Sequence, residues 1–170
     1  YVTQYDVVFK LFSVITFVHS MIMAPLWSAY TDAYHRGDLR WVRKMLNKQL
    51  LVFGVICLAI IGLVYFIRAI ISLWIGEHME VHYSLVAAIA CFVAISAWSG
   101  IFAYILNGVG EIKLQMVLAV VAMIINIPLA IVYVKYFAFG VEGVVWAACS
   151  SMMLFSIVGP IQVKMLLQRK

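Results

Sequence analysis

Long apolar runs, rather than an alternation of apolar and polar positions, organise this chain. Five stretches carry no formal charge at helix-spanning length: Leu11 to Thr31, Gln49 to Ile67, Tyr83 to Gly110, Leu114 to Val134 and Gly143 to Val163. Each is near or above the ~20 residues an α-helix needs to cross about 30 Å of hydrocarbon. Strands of a membrane barrel span about 10 residues and alternate in polarity, and nothing here does. The pattern therefore predicts an all-α fold, a polytopic transmembrane bundle of five spans over about 7–34, 47–75, 83–107, 113–138 and 141–167, each helix antiparallel to the next.

Composition agrees. Hydrophobic residues make up 66% of the 170 positions and charged residues 11%, against roughly 45–50% and 25% in soluble domains. So few charges cannot cover a wet surface, which excludes a soluble enzyme, a soluble nucleic-acid binder and a disordered tail. The net charge of +5 is distributed as topology. Arg36, Arg40, Arg43, Lys44 and Lys48 follow the first span, Lys113 lies in the third connection, and Lys164, Arg169 and Lys170 close the chain; together they are nine of the twelve basic residues. The positive-inside rule makes these connections cytoplasmic and places the N-terminus and the Glu77–His82 loop outside. With an outside start, no Met at position 1 and no basic n-region, the chain is expected to be part of a longer protein.

Local features refine the spans. Asp6 and Lys10, one turn apart, suit a salt link. Pro25 is expected to bend the first helix and Gly159-Pro160 to break the last. From Asp38, as N-cap, the segment reads first as the cytoplasmic anchor of a hairpin; the alternative is a short amphipathic piece that turns Leu39, Val42, Met45 and Leu46 toward lipid and Arg40, Arg43 and Lys44 toward headgroups. Asn107-Gly-Val-Gly110 reads as a tight turn. Gly143, Ala147 and Ser150 form a small-residue stripe suited to close packing.

Candidate chemistry is sparse. Arg68 lies about 12 Å inside the end set by Gly76. It either snorkels to the outer headgroups or faces the bundle interior, and Gly54, Tyr65 and Ser72 share its helical face. Ser96, Ser99 and Asn107 share a face of the third span; Gln115, Asn126 and Tyr133 align on the fourth, beside Pro128. Such groups are either glue between helices or the lining of a shared aqueous cavity. Cys57, Cys91 and Cys149 lie in apolar spans without a pairing or metal pattern. His78 and His82, with Glu77 and Glu80, lack the zinc-protease spacing, so no metal site, cofactor or catalytic residue is assigned.

The segment Pro25-Leu-Trp-Ser-Ala-Tyr-Thr-Asp-Ala-Tyr34, followed by Gly37, Asp38 and Trp41, resembles the bacterial polysaccharide transport proteins. These are the Wzx-like oligosaccharide flippases of the multidrug, oligosaccharidyl-lipid and polysaccharide (MOP) exporter superfamily. Its elements here are Pro25, Trp27, Tyr30, Asp32, Tyr34, Gly37, Asp38 and Trp41, the turn with Gly108 and Gly110, and Gly140 with Gly143. The resemblance covers essentially the whole chain. It implies helices eight to twelve of a two-lobed transporter, most of the C-terminal lobe, whose partners are the missing N-terminal lobe and first helix, membrane lipids and a lipid-linked oligosaccharide. The implied setting is the bacterial cytoplasmic membrane. The implied activity is flipping of an undecaprenyl-diphosphate-linked oligosaccharide by alternating access for cell-surface polysaccharide biosynthesis, without cofactor or enzymatic chemistry. Arg68 and Lys10 become candidates to receive the diphosphate, with Tyr65, Asn107, Gln115, Asn126 and Tyr133 as further cavity candidates. The alternatives are cation-coupled export of small molecules, as in drug-exporting relatives, and a non-transporting structural membrane protein.

Overall fold

The computed structural model describes residues 2–75, 82–137 and 139–168. Five helices follow one another: α1 (Val2–His35), α2 (Leu39–Ile75), α3 (Tyr83–Val109), α4 (Lys113–Lys135) and α5 (Val141–Gln168). All five are long and apolar enough to cross a membrane. The chain is a polytopic all-α protein with five apolar spans.

Two turns close by the same device. Gly37 (φ 72°) and Gly110 (φ 80°) adopt the left-handed conformation that ends a helix without a Cβ penalty. Around the first, Gly37 N donates to Tyr34 O and Asp38 N to Ala33 O; around the second, Gly110 N donates to Asn107 O and Glu111 N to Leu106 O. Both patterns satisfy carbonyls that the preceding helix leaves open. Asp38 then caps α2, accepting from Trp41 N at 3.0 Å.

Helix α3 is the centre. It packs on α1, α2 and α5, whereas α4 packs chiefly on α5 and has no buried residue. Its buried face feeds two apolar clusters. One joins Val8, Phe12, Ile67, Ile71, Val86 and Ile89. The other joins Met23, Tyr30, Val42, Ile105, Leu106 and Val163, and lies toward the end of the bundle that carries the α1–α2 and α3–α4 turns. This end also carries Arg36–Lys48, Lys113 and Lys164, and is called the basic end below.

Several expectations are corrected. The segment after Asp38 is not a separate interfacial piece: α2 begins at Leu39 rather than near 47 and runs unbroken for 37 residues. Its apolar side does not face lipid. Val42 is 0% exposed and Met45 and Leu46 pack on the second cluster, because Tyr30 and Trp41 meet edge-on there at 5.8 Å and hold α2 against α1. Pro160 does not break α5, which continues to Gln168. Proline deprives the carbonyl four residues earlier of its donor, and here that carbonyl, on Ser156, accepts from Trp98 Nε1 of α3 at 3.0 Å. Gly159 lets the two helices close at this point, since a Cβ there would meet Phe102 Cβ at 3.3 Å.

The α3–α4 turn is also narrower than expected. Asn107 and Gly108 are still helical, and only Gly110 turns. Gly108 serves close approach instead: a Cβ there would lie 2.7 Å from Tyr30 Cβ and 3.0 Å from Trp27 O. Helix α4 ends at Lys135 rather than 138, and α1 runs through Pro25 without interruption. Asp6 and Lys10 are both exposed, and no ion pair joins them among the described residues. An exposed pair at this spacing contributes only about 0.2–0.5 kcal/mol, too little to hold two flexible side chains together. Gly76, Glu77, His78 and Glu80 lie outside the described residues.

Candidate functional site

Helix α1 carries two adjacent stripes. Positions 8, 12, 15, 19, 23, 26, 30 and 33 recur at the three-and-four spacing of a helix packed along its length, and most of them are buried. One residue further on, a second stripe runs through Phe9, Ser13, Thr16, Phe17, Ser20, Ala24, Trp27, Ser28, Thr31 and Asp32. It lies about 100° round the helix from the buried seam and therefore beside α3. It is lined with hydroxyls and aromatics, and most of its residues are exposed, with α3 meeting it at a few points.

Two hollows mark its length. The first, about 550 Å³, is lined by Phe9, Ser13, Val14, Thr16, Phe17 and Ser20 of α1 and by Phe92 and Val93 of α3. The second, about 460 Å³, lies nearer the basic end, between Ala24, Trp27, Ser28, Thr31 and Asp32. The serine hydroxyls donate back into the helix, Ser13 to Lys10 O at 2.7 Å and Ser20 to Phe17 O at 2.8 Å. Each keeps its lone pairs free to accept. At the basic end Thr31 Oγ1 donates to Gly108 O at 2.7 Å, and Trp27 stands edge-on to Tyr104 at 6.4 Å, so α3 fixes this part of the stripe.

The buried seam holds a further polar group. His19 is 6% exposed, its Nε2 has no partner, and its ring lies against Gly100, where a Cβ would meet His19 Cε1 at 3.3 Å. Ser99 is likewise buried with its Oγ unpaired.

The residues singled out from sequence are distributed rather than gathered. Lys10 is exposed one turn from Ser13, on the flank of the first hollow. Arg68 is exposed on α2 and lines neither hollow; its guanidinium sits 4.7 Å from the centroid of the Tyr83 ring at the start of α3, a cation–π contact. Tyr65, 79% exposed, lies one turn away and meets Phe66 edge-on at 4.9 Å. Asn126 Nδ2 donates to Ser151 Oγ at 3.2 Å, and Tyr133 OH pairs with Ser150 Oγ at 3.1 Å. Both sit in the α4–α5 contact, with Gly143, where a Cβ would meet Val134 Cγ2 at 3.1 Å. Gln115 is half-buried with Oε1 unpaired, and Asn107 is half-buried, next to Gly108 on α3.

Of the motif residues, Tyr30 is fully buried at the α1–α2 contact, with its hydroxyl unpaired, while Pro25 and Trp27 precede it and Asp32 and Tyr34 follow it on the last turns of α1. Gly140 precedes α5. No group of three or more potential metal ligands occurs among the described residues. The hydroxyl stripe and His19 escaped the sequence analysis because single hydroxyls and a lone histidine scattered among apolar residues read as ordinary members of a membrane helix. The three-and-four spacing of Ser13, Thr16, Ser20, Trp27, Ser28 and Thr31 was the signal that could have found the stripe. No protein family, curated protein or solved structure compared with the chain matches it.

Proposed function

We propose that this chain is the C-terminal part of a transporter that flips a lipid-linked oligosaccharide across the bacterial cytoplasmic membrane, with its basic end cytoplasmic. The observation that carries the reading is the largely exposed stripe along α1, with its hydroxyls, aromatic faces and two hollows. Hydroxyl lone pairs facing hydrocarbon go unmet, and hydroxyls interleaved with aromatic rings suit a sugar, which offers donors and acceptors on its edges and an apolar face for stacking. A second lobe, packed opposite, encloses the stripe as one wall of a cavity. The resemblance of Pro25–Trp41 to oligosaccharide flippases supports this substrate class, and the excess of basic residues at one end supports the orientation. The flip itself needs no bond chemistry. It exchanges headgroup hydration for hydrogen bonds along the stripe, while Lys10 and Arg68, both exposed, are offered as cations for the diphosphate.

The test is outer-leaflet appearance of lipid-linked oligosaccharide in cells, normalised to protein in the membrane. Replacing Ser13 and Ser20 by Ala and Thr16 by Val removes three hydroxyls, each worth about 0.5–1 kcal/mol, and is expected to slow flipping ~10–100-fold at unchanged protein level. Normal flipping by the triple variant removes the stripe from the transport path. Loss of protein together with flipping makes it a seat for another helix. A rival reading, export of amphiphilic cations, draws on Asp32 at the foot of the stripe. It predicts cation uptake by inverted vesicles, abolished in Asp32→Asn.

A further inference from the structure

We infer that the cleft between the first turns of α2 and the last turns of α5 binds the phosphate of an anionic phospholipid. The cleft holds about 280 Å³ and is lined by Arg43 and Leu46 of α2 and by Pro160, Lys164, Leu167 and Gln168 of α5. Arg43 lies four residues inside the start of α2 and Lys164 four residues inside the end of α5, so each is about 6 Å along its helix from the same end of the bundle. This is the depth of headgroups for helices that cross a bilayer.

Three features make the cleft a site rather than two neighbouring surface cations. First, Arg43 is held: its Nη2 donates to Leu167 O at 3.4 Å. That carbonyl lies in the last described turn of α5, and no described residue stands four positions on to donate to it. The tether leaves the other guanidinium N–H groups to fork onto phosphate oxygens. Second, no carboxylate lines the cleft, and neither Arg43 nor Lys164 has an ion-pair partner among the described residues. Two unit cations outweigh the roughly half negative charge at the C-terminal end of α5, leaving the cleft at about +1.5. Third, the walls are amphiphilic in the right sense. Leu46, Pro160 and Leu167 supply an apolar wall for the start of an acyl chain, beside the cations that take the headgroup. A soluble phosphate uses the cations and wastes that wall; a phospholipid uses both.

The site does not rest on the transport reading, and it concerns α2 and α5 rather than the stripe on α1. The experiment uses purified full-length protein in zwitterionic nanodiscs doped with phosphatidylglycerol, and native mass spectrometry of the lipids it retains. The Arg43→Gln/Lys164→Gln variant is expected to lose about tenfold or more in retained phosphatidylglycerol, since charge-assisted contacts to phosphate are removed. The matched control, Arg40→Gln/Lys44→Gln, removes two cations of the same end that do not line the cleft, and is expected to lose no more than about twofold. Equal losses in the two double variants, or none in either, overturn the site. Should the double variant fold poorly, Lys164→Gln alone serves, because its exposed ammonium makes no hydrogen bond or ion pair among the described residues. Two competitors identify the source of the phosphate. Inorganic diphosphate is expected to displace phosphatidylglycerol weakly, and displacement at equal concentration overturns the role of the apolar wall. A polyprenyl diphosphate retained in place of phosphatidylglycerol, and lost in the same variants, overturns the assignment to a phospholipid.

Discussion

Gly108→Ala tests the central contact of the fold, the approach of α1 to α3. An added Cβ would fall 2.7 Å from Tyr30 Cβ and 3.0 Å from Trp27 O. Neither atom is the end of a flexible side chain, and Tyr30 is wedged against Trp41. The helices must part. Overpacking of this kind costs about 1–3 kcal/mol. Separation also stretches the 2.7 Å bond from Thr31 Oγ1 to Gly108 O, worth about 0.5–1.5 kcal/mol. Alanine returns about 0.5–1 kcal/mol by restricting the backbone of the unfolded helix. The balance is a loss of about 0.5–4 kcal/mol, centred on ~2 kcal/mol. Gly54→Ala and Gly62→Ala are the internal controls, because a Cβ at either position meets nothing within 4 Å; they are expected to be neutral or stabilised by up to about 1 kcal/mol. Reversible unfolding in mixed micelles of mild detergent and dodecyl sulfate measures all three. If Gly108→Ala unfolds together with the two controls, the close approach of α1 and α3 at this glycine is wrong.

Gly37→Ala places a Cβ at φ 72° in the α1–α2 turn and is expected to cost about 1–2 kcal/mol in the same assay, with Gly37→Asn milder. Asn126→Leu and Tyr133→Phe each remove one bond from α4 to α5 and are expected to cost less than about 1 kcal/mol, because hydrogen bonds between membrane helices average about 0.6 kcal/mol. A double-mutant cycle of Asn126→Leu with Ser151→Ala checks the coupling, and additive losses refute the bond. Arg68→Ala is expected to reduce outer-leaflet appearance of lipid-linked oligosaccharide at matched protein level, with Arg68→Lys intermediate because it keeps charge but not the fork. Normal flipping by Arg68→Ala leaves Arg68 with its cation–π contact to Tyr83 alone.

The five spans, their order and the glycine turn before α4 were legible in the sequence, whereas the turn at Gly37 was not read there. Uncharged runs of this length have one stable arrangement in hydrocarbon, and Gly110 stands where a left-handed residue ends a helix. Which side of each helix is covered was not legible. A soluble helix announces its buried side by contrast with a polar one, whereas here lipid and protein interior are equally apolar, so Val42, Met45 and Leu46 read as lipid-facing when they are packed. The candidate site was half legible. Formal charge drew attention to Arg68 and Lys10, while the uncharged hydroxyls of α1, one turn and more from Lys10, passed as ordinary membrane-helix residues.

The sequence by itself determined the class: an all-α chain of five apolar spans with its basic residues gathered at one end. That outcome follows from transfer energetics summed over some twenty residues at a time, and no single neighbour can alter it. Only the tertiary structure decided the rest. α5 passes through Pro160 because a tryptophan 62 residues earlier supplies the missing donor to Ser156 O. Arg43 is poised over a cleft because the end of α5 offers it a carbonyl. Most of the hydroxyl stripe of α1 stays exposed because α3 packs on the adjoining seam and meets the stripe itself at only a few residues, Thr31 and Trp27 among them. Each of these depends on one atom placed within hydrogen-bond or van der Waals reach of another that is distant in the chain, and hydropathy, a sum over neighbours in sequence, carries no record of such placements.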